Sequence, residues 1–113
     1  ISKKINDKGI KIMAVLLQVD FPLEGPFGNE MKEAFSDLAK SITEEPGFLW
    51  KIWTENQETK EAGGIYAFTT KEDAGTYADM HKKRMANLGV SNPRSRIFDI
   101  NEDLTRITNG PIK

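Results

Sequence analysis

Between Met13 and Phe21 the apolar side chains fall on alternate positions: Val15, Leu17, Val19 and Phe21 share one face, and Ala14, Leu16, Gln18 and Asp20 the other. A period of two is that of a β-strand, here with one wholly apolar face. "PLEGPFGN" breaks it with two prolines and two glycines, a loop by its turn chemistry, and Asn29 is placed to cap the helix that follows. In "EMKEAFSDLAKSITEE" the apolar residues Met31, Phe35, Leu38 and Ile42 recur at helical spacing and form one stripe, which ends before Pro46-Gly47. Strands follow at about 48–55 and 62–69, joined by the polar "NQETKE" as a hairpin. Thr70, with Asp73 three residues on, opens a second helix that Gly89 stops. Its inward stripe is Ala74, Ala78, His81, Met85 and Leu88, with Tyr77 beside it. "RSRIFDI" holds a last strand, and "NEDLTRITNG" a helical turn before a frayed end.

The order is β-α-β-β-α-β, which predicts an α+β, ferredoxin-like antiparallel sheet whose two crossovers put both helices on one face. The other face is then bare. In the first hairpin strand Phe48, Trp50 and Ile52 share one side, and Leu49, Lys51 and Trp53 the other, so large apolar groups point both ways. A monomer would expose much of that surface, and the economical cover is a two-fold homodimer with sheets packed back to back.

At 113 residues the chain is one domain's worth. Residues 1–12, "ISKKINDKGIKI", lack the apolar core of a secretory signal and read as an upstream leader or a vector-derived remnant before a single domain over 13–113. A net charge of -1 with dispersed Lys and Arg gives no footprint for nucleic acid. "MAVLLQVDF" is too short to span a bilayer, so no membrane partner is expected either. The absence of cysteine rules out disulfides and thiolate chemistry and is compatible with a reducing compartment, the cytoplasm.

Few residues are candidates for chemistry. His81, the only histidine, points inward with Ala78 and Met85; a lone histidine there is more often core, but its ordinary pKa suits a general base toward a phenol-like substrate. Trp50, Trp53 and Tyr66 either wall a flat aromatic pocket or are core and interface. Even parity is the expected helix-facing side of the first hairpin strand, which would bring Trp50 rather than Trp53 toward His81 and Tyr66 in one cavity. Gly63-Gly64 inside a strand implies a bulge or the close approach of another group, the bulge being the commoner cause. "GPFG" is a plain connection or a lid with Phe27 as its plug. Arg94 and Arg96 fit an edge strand guarded against stray pairing better than an anion site. Glu44-Glu45 and Glu72-Asp73 sit at helix ends, where capping and solvation account for them. No metal cluster, P-loop, nucleophile elbow or dinucleotide fingerprint is present, so no metal and no cofactor is expected.

"MAVLLQVDF", "GPFG", "EPGFLWKIWTE", "EAGGIYAFT", "NLGV" and "FDINE", in this order from Met13 to about Leu104, resemble the YdhR family of proposed monooxygenases, within the dimeric α/β-barrel superfamily. The wider superfamily's Glu-Pro-Gly turn, aromatic strand and second-helix histidine correspond to Glu45-Pro46-Gly47, Tyr66 and His81. The resemblance implies a homodimer, a pocket between sheet and helices, and oxygenation of small aromatic compounds without a cofactor. It makes His81 and Tyr66 the catalytic candidates, and Trp50, Trp53, Phe27, Tyr77 and Phe68 the substrate-binding ones. Two alternatives stay open: a haem-binding or haem-degrading member that uses His81 as axial ligand, and a non-enzymatic, small-molecule-binding stress-response dimer.

Overall fold

The structure, a computed structural model, describes residues 4–5, 11–12, 14–90 and 92–112. The leader expected at 1–12 lies outside the described residues except for a short antiparallel ladder, β1 (Lys4–Ile5) with β2 (Lys11–Ile12). The domain proper runs β3 (Val15–Pro22), α1 (Gly28–Ile42), β4 (Phe48–Asn56), β5 (Glu61–Phe68), α2 (Lys71–Asn87), β6 (Arg94–Asp99) and α3 (Glu102–Ile107). Its four strands form one antiparallel sheet in the order β4-β5-β3-β6, the ferredoxin-like arrangement that the element order predicts. Among the described residues no helix is long and apolar enough to cross a membrane.

The core lies between this sheet and the helices. Val15, Leu17 and Val19 of β3, Tyr66 and Phe68 of β5, Ile42 of α1 and Ala74 and Tyr77 of α2 form one buried cluster. The apolar face of β3 is therefore the helix-facing one, as its periodicity predicts, and removal of these side chains from water is the main stabilising term. Thr70 caps α2 by accepting the N–H of Asp73 at 3.0 Å. Gly89, at φ +85°, follows the helix end. At α1 the cap differs from the expectation: Phe27, not Asn29, occupies the N-cap position and offers no side-chain acceptor. The carboxylate of Glu55 on β4 accepts the Gly28 N–H at 2.8 Å instead, satisfying a helix donor from across the fold.

The pairing of β4 with β5 contains the main departure from simple parity. Phe48 faces Phe68, but Trp50 faces Ala67, so the register shifts between Phe48 and Trp50 and Leu49 is the extra residue of a bulge. Beyond it Lys51 pairs with Tyr66 and Trp53 with Gly64, on the helix side, while Trp50 and Ile52 turn to the opposite face. The bulge expected at Gly63-Gly64 is thus on β4, and the glycines serve close approach. A Cβ on Gly63 would meet the carbonyl oxygen of Val19, and one on Gly64 would meet Cε of Lys51.

The far face of the sheet is not bare. After β6, at one edge, the chain continues through α3 to Pro111, whose carbonyl accepts the indole N–H of Trp50 on β4, at the other edge, at 3.0 Å. The expected frayed end is in this way tied down on the face opposite α1 and α2. Ile52 and Phe98 of the sheet, and Leu104 and Ile107 of α3, stay exposed. Arg94 on the edge strand β6 pairs with Asp20 across the ladder, Nε to Oδ1 2.7 Å, and with Glu61 at 3.6 Å, an edge role rather than a ligand site.

The two kinds of glycine separate in mutagenesis. Gly63→Ala forces a methyl group against the backbone of the central strand and should cost about 1 to 3 kcal/mol in urea unfolding, the usual range for overpacking. Gly75→Ala, on α2 with nothing within 4 Å of the new Cβ, should stabilise by roughly 0.5 to 1 kcal/mol through helix propensity.

Candidate active site

Between the sheet and the two helices lies a cavity of about 230 Å³. Lys51, Trp53 and Gly63 form its floor, Met31, Phe35 and Leu38 of α1 one wall, and His81 and Met85 of α2 the other. The rings of Phe35 and Trp53 are stacked with centroids 6.3 Å apart. A more open groove of about 270 Å³ on the other side of Met31, Phe35 and Trp53 carries neither Lys51 nor His81.

The residues singled out in the sequence divide around this cavity. Trp53 and His81 line it. Tyr66, expected to share the cavity with His81, does not line it: it is buried behind Lys51, with its ring centroid 6.3 Å from that of His81. Tyr77 is stacked on His81 at 5.3 Å, and its hydroxyl donates to that of Tyr66 at 3.3 Å. Phe68 belongs to the core behind the two tyrosines. Phe27 is half-buried at the start of α1, next to Gly25, which borders the cavity. Trp50 is on the opposite face, held by Pro111, so the expectation that it joins His81 and Tyr66 fails at the bulge.

Lys51 is the residue that the sequence reading missed. Its Nζ lies over the indole of Trp53, 3.3 Å from the ring centroid, and 4.6 Å from that of Tyr66. Among the described residues it has no ion-pair partner, and neither does Arg84 of α2, whose Nη2 approaches the sulfur of Met80 at 2.8 Å while Nη1 is buried without a partner. The available signal was a lysine flanked on both sides by aromatic and aliphatic residues in mid-strand, with a glycine pair on the neighbouring strand leaving room for it.

Two cations in an apolar setting, neither with an ion-pair partner among the described residues, shift the proton affinities nearby. Burial, then Arg84, pulls Lys51 down from 10.5 to about 7. The indole face opposes this by roughly 0.5 to 2 kcal/mol, which amounts to a pH unit or so, and burial outweighs it. Burial, then Lys51, then Arg84 lowers His81 to about 4, and its Nδ1 is buried with no hydrogen-bond partner. His81 is therefore held neutral at physiological pH, with a proton affinity below that of an ordinary histidine. Burial raises both Tyr66 and Tyr77, so their hydroxyls keep their protons. His81 is packed against Tyr77 at one wall of the cavity.

These directions fix how stability varies with pH. Lys51 binds its proton less tightly folded than unfolded, so stability rises with pH between about 7 and 10.5, with a slope of at most ~1.4 kcal/mol per pH unit. Lys51→Met should abolish that slope and should stabilise most below pH 7, by up to a few kcal/mol, in chemical denaturation across the range. His81 acts in the same sense at lower pH: stability falls as pH drops from 6.5 toward 4, and His81→Phe should flatten that limb.

The fold is shared with solved oxygenases. SnoaB, a cofactor-independent oxygenase from Streptomyces nogalater, matches with a TM-score of 0.56 at 16% identity, over 78% of this chain and 93% of that one. The ActVA-Orf6 monooxygenase of Streptomyces coelicolor, solved with nanaomycin D, matches with a TM-score of 0.55 at 17% identity, over 80% of this chain and 88% of that one. At such identities the likeness establishes the fold. No curated protein sequence matches. The family model described as "Putative mono-oxygenase ydhR" matches residues 16–111, nearly the whole domain, and so this chain belongs to the YdhR family.

Proposed function

We propose that this protein is a cofactor-independent monooxygenase that acts on small aromatic compounds in the cavity between sheet and helices. The observation that carries this reading is the cavity itself. Phe35 and Trp53, stacked on each other, contribute aromatic surface to its lining, and Lys51, Thr54 and His81 are its polar residues. Pockets that bind small molecules combine such an apolar lining with a few convergent polar groups. An apolar cavity of about 150 Å³ holds benzene, so about 230 Å³ fits a small aromatic molecule. An oxygenase of this kind relies on an electron-rich, ionised substrate to reduce oxygen, and the protein contributes desolvation, orientation and control of one proton. Trp53 supplies the binding surface. His81, held neutral, lines one wall of the cavity, and the hydrogen-bonded Tyr66–Tyr77 pair packs behind it. Membership of the YdhR family and the fold shared with SnoaB and ActVA-Orf6 support the same reaction class.

The working unit in this reading is a homodimer in the cytoplasm, formed through the far face of the sheet. Ile52, Phe98, Leu104 and Ile107 are the exposed large apolar groups on that side. They surround the C-terminal segment rather than a bare sheet, so the interface combines sheet and α3.

Oxygen uptake tests the function. With a panel of mono- and bicyclic phenols, purified protein should consume oxygen without added flavin, nicotinamide or metal, and Trp53→Ala should lower turnover at least tenfold. Ligand binding across the panel with no oxygen uptake would favour the non-enzymatic binding dimer. Light scattering at micromolar concentration should report a dimer, which Phe98→Glu with Ile52→Asp converts to monomer; a monomeric wild type would remove the proposed interface, which should exceed roughly 2,000 Å² in total.

A further inference from the structure

Lys51 holds a position that packing alone would not select. A lysine beneath a helix layer gives up the hydration of its ammonium, and a methionine or leucine would fill the same space without that loss. The fold nevertheless accommodates it: the bulge at Leu49 turns it inward, Gly64 has no side chain where its Cε passes, and Trp53 and Tyr66 bracket its Nζ. No carboxylate among the described residues pairs with it. The cavity thus contains an amine whose natural partner, an anion, is missing from the protein.

We propose that the ε-amino group of Lys51 is the base that takes the hydroxyl proton from a phenol-class substrate bound against Trp53, and that it then holds the phenolate as its counter-ion. In this step the substrate O–H bond breaks, its electron pair stays on oxygen, and a new N–H bond forms at Nζ. The site gains no net charge, so the pair forms inside the cavity without importing an ion from water. Ammonium and phenolate attract strongly where little water screens them, which drives a transfer that is unfavourable in solution.

The surrounding groups leave this role to Lys51. From α2, the positive charge of Arg84, which lies outside the cavity lining, disfavours a resident ammonium. His81, also on α2, has too low a proton affinity at about 4. From β5 Tyr66, and from α2 Tyr77, keep their protons and bond to each other. The α1 wall of Met31, Phe35 and Leu38 carries no charge, and Glu55 of β4 is engaged by the Gly28 N–H. At about 7, Lys51 is available as a free amine at neutral to mildly alkaline pH.

The inference rests on the aromatic-substrate reading but is tested without oxygen chemistry. 1-Naphthol serves as the probe, because its anion absorbs at longer wavelength than the neutral form. At about pH 8, above the Lys51 value and below the ordinary phenol range, binding to the wild type should produce the naphtholate band with no proton released to a weakly buffered medium. Lys51→Met, or Lys51→Gln should the first not fold, should bind the probe within tenfold of the wild-type affinity as neutral naphthol. Lys51→Arg should show the band with one proton released per probe bound. Neutral naphthol on the wild type, an equal band in Lys51→Met, proton release by the wild type, or failure of naphthol to bind would each overturn the proposal. A Lys51-dependent band in a protein that consumes no oxygen would retain the base and reject the monooxygenase; oxygen uptake with neutral naphthol bound would do the reverse.

Discussion

One inserted residue in β4 governs the candidate site. Because strand side chains alternate, the extra residue at Leu49 reverses every orientation after it. Phe48 before the bulge and Trp53 after it can then both face the helices, although they differ in parity. The reversal brings Lys51 under α2 and sends Trp50 to the other side. Cavity, cation placement and the anchorage of the C-terminal segment all depend on that shift.

The second consequence is electrostatic. The charges of Lys51 and Arg84 act on each other beside a mainly apolar cavity, and neither has an ion-pair partner among the described residues. Burial first, and the neighbouring positive charge second, disfavour the protonated forms: Lys51 moves toward the free amine and His81 is held neutral. A site that resists its own positive charge is preorganised to accept a negative one, since the arriving anion relieves what folding left uncompensated. The paired tyrosines, which keep their protons, contribute shape rather than charge.

The opposite face follows a different logic. The C-terminal segment covers part of the sheet and its carbonyl satisfies the Trp50 indole, so that tryptophan is accounted for within the chain. The remaining exposure is divided between sheet and α3, at Ile52, Phe98, Leu104 and Ile107. Two tryptophans three residues apart thus serve different layers, Trp53 the cavity and Trp50 the outer cover. This is why a short hairpin carries large aromatic groups on both sides.

The sequence by itself determined the element order, the inward stripe of α1, that of α2 up to Met85, the helix-facing side of β3 and the Thr70 cap, because each rests on contacts within a few residues or on a period that repeats without interruption; Leu88, expected in the α2 stripe, is exposed because the helix ends at Asn87 and the period ends with it. It also carried the family membership, through the words that run from Met13 to Leu104. It placed His81 on the inner face of α2 for the same local reason. Tertiary structure decided what depends on distant partners. Glu55 caps α1 from 27 residues away, Pro111 holds Trp50 from 61 residues away, and the space beside Gly64 is filled by a lysine from the neighbouring strand. Periodicity has no memory across an inserted residue, so which tryptophan enters the cavity could be read only from the pairing of β4 with β5. The proton affinity of Lys51 is likewise a property of surroundings assembled from β4, β5 and α2, which no stretch of sequence contains on its own.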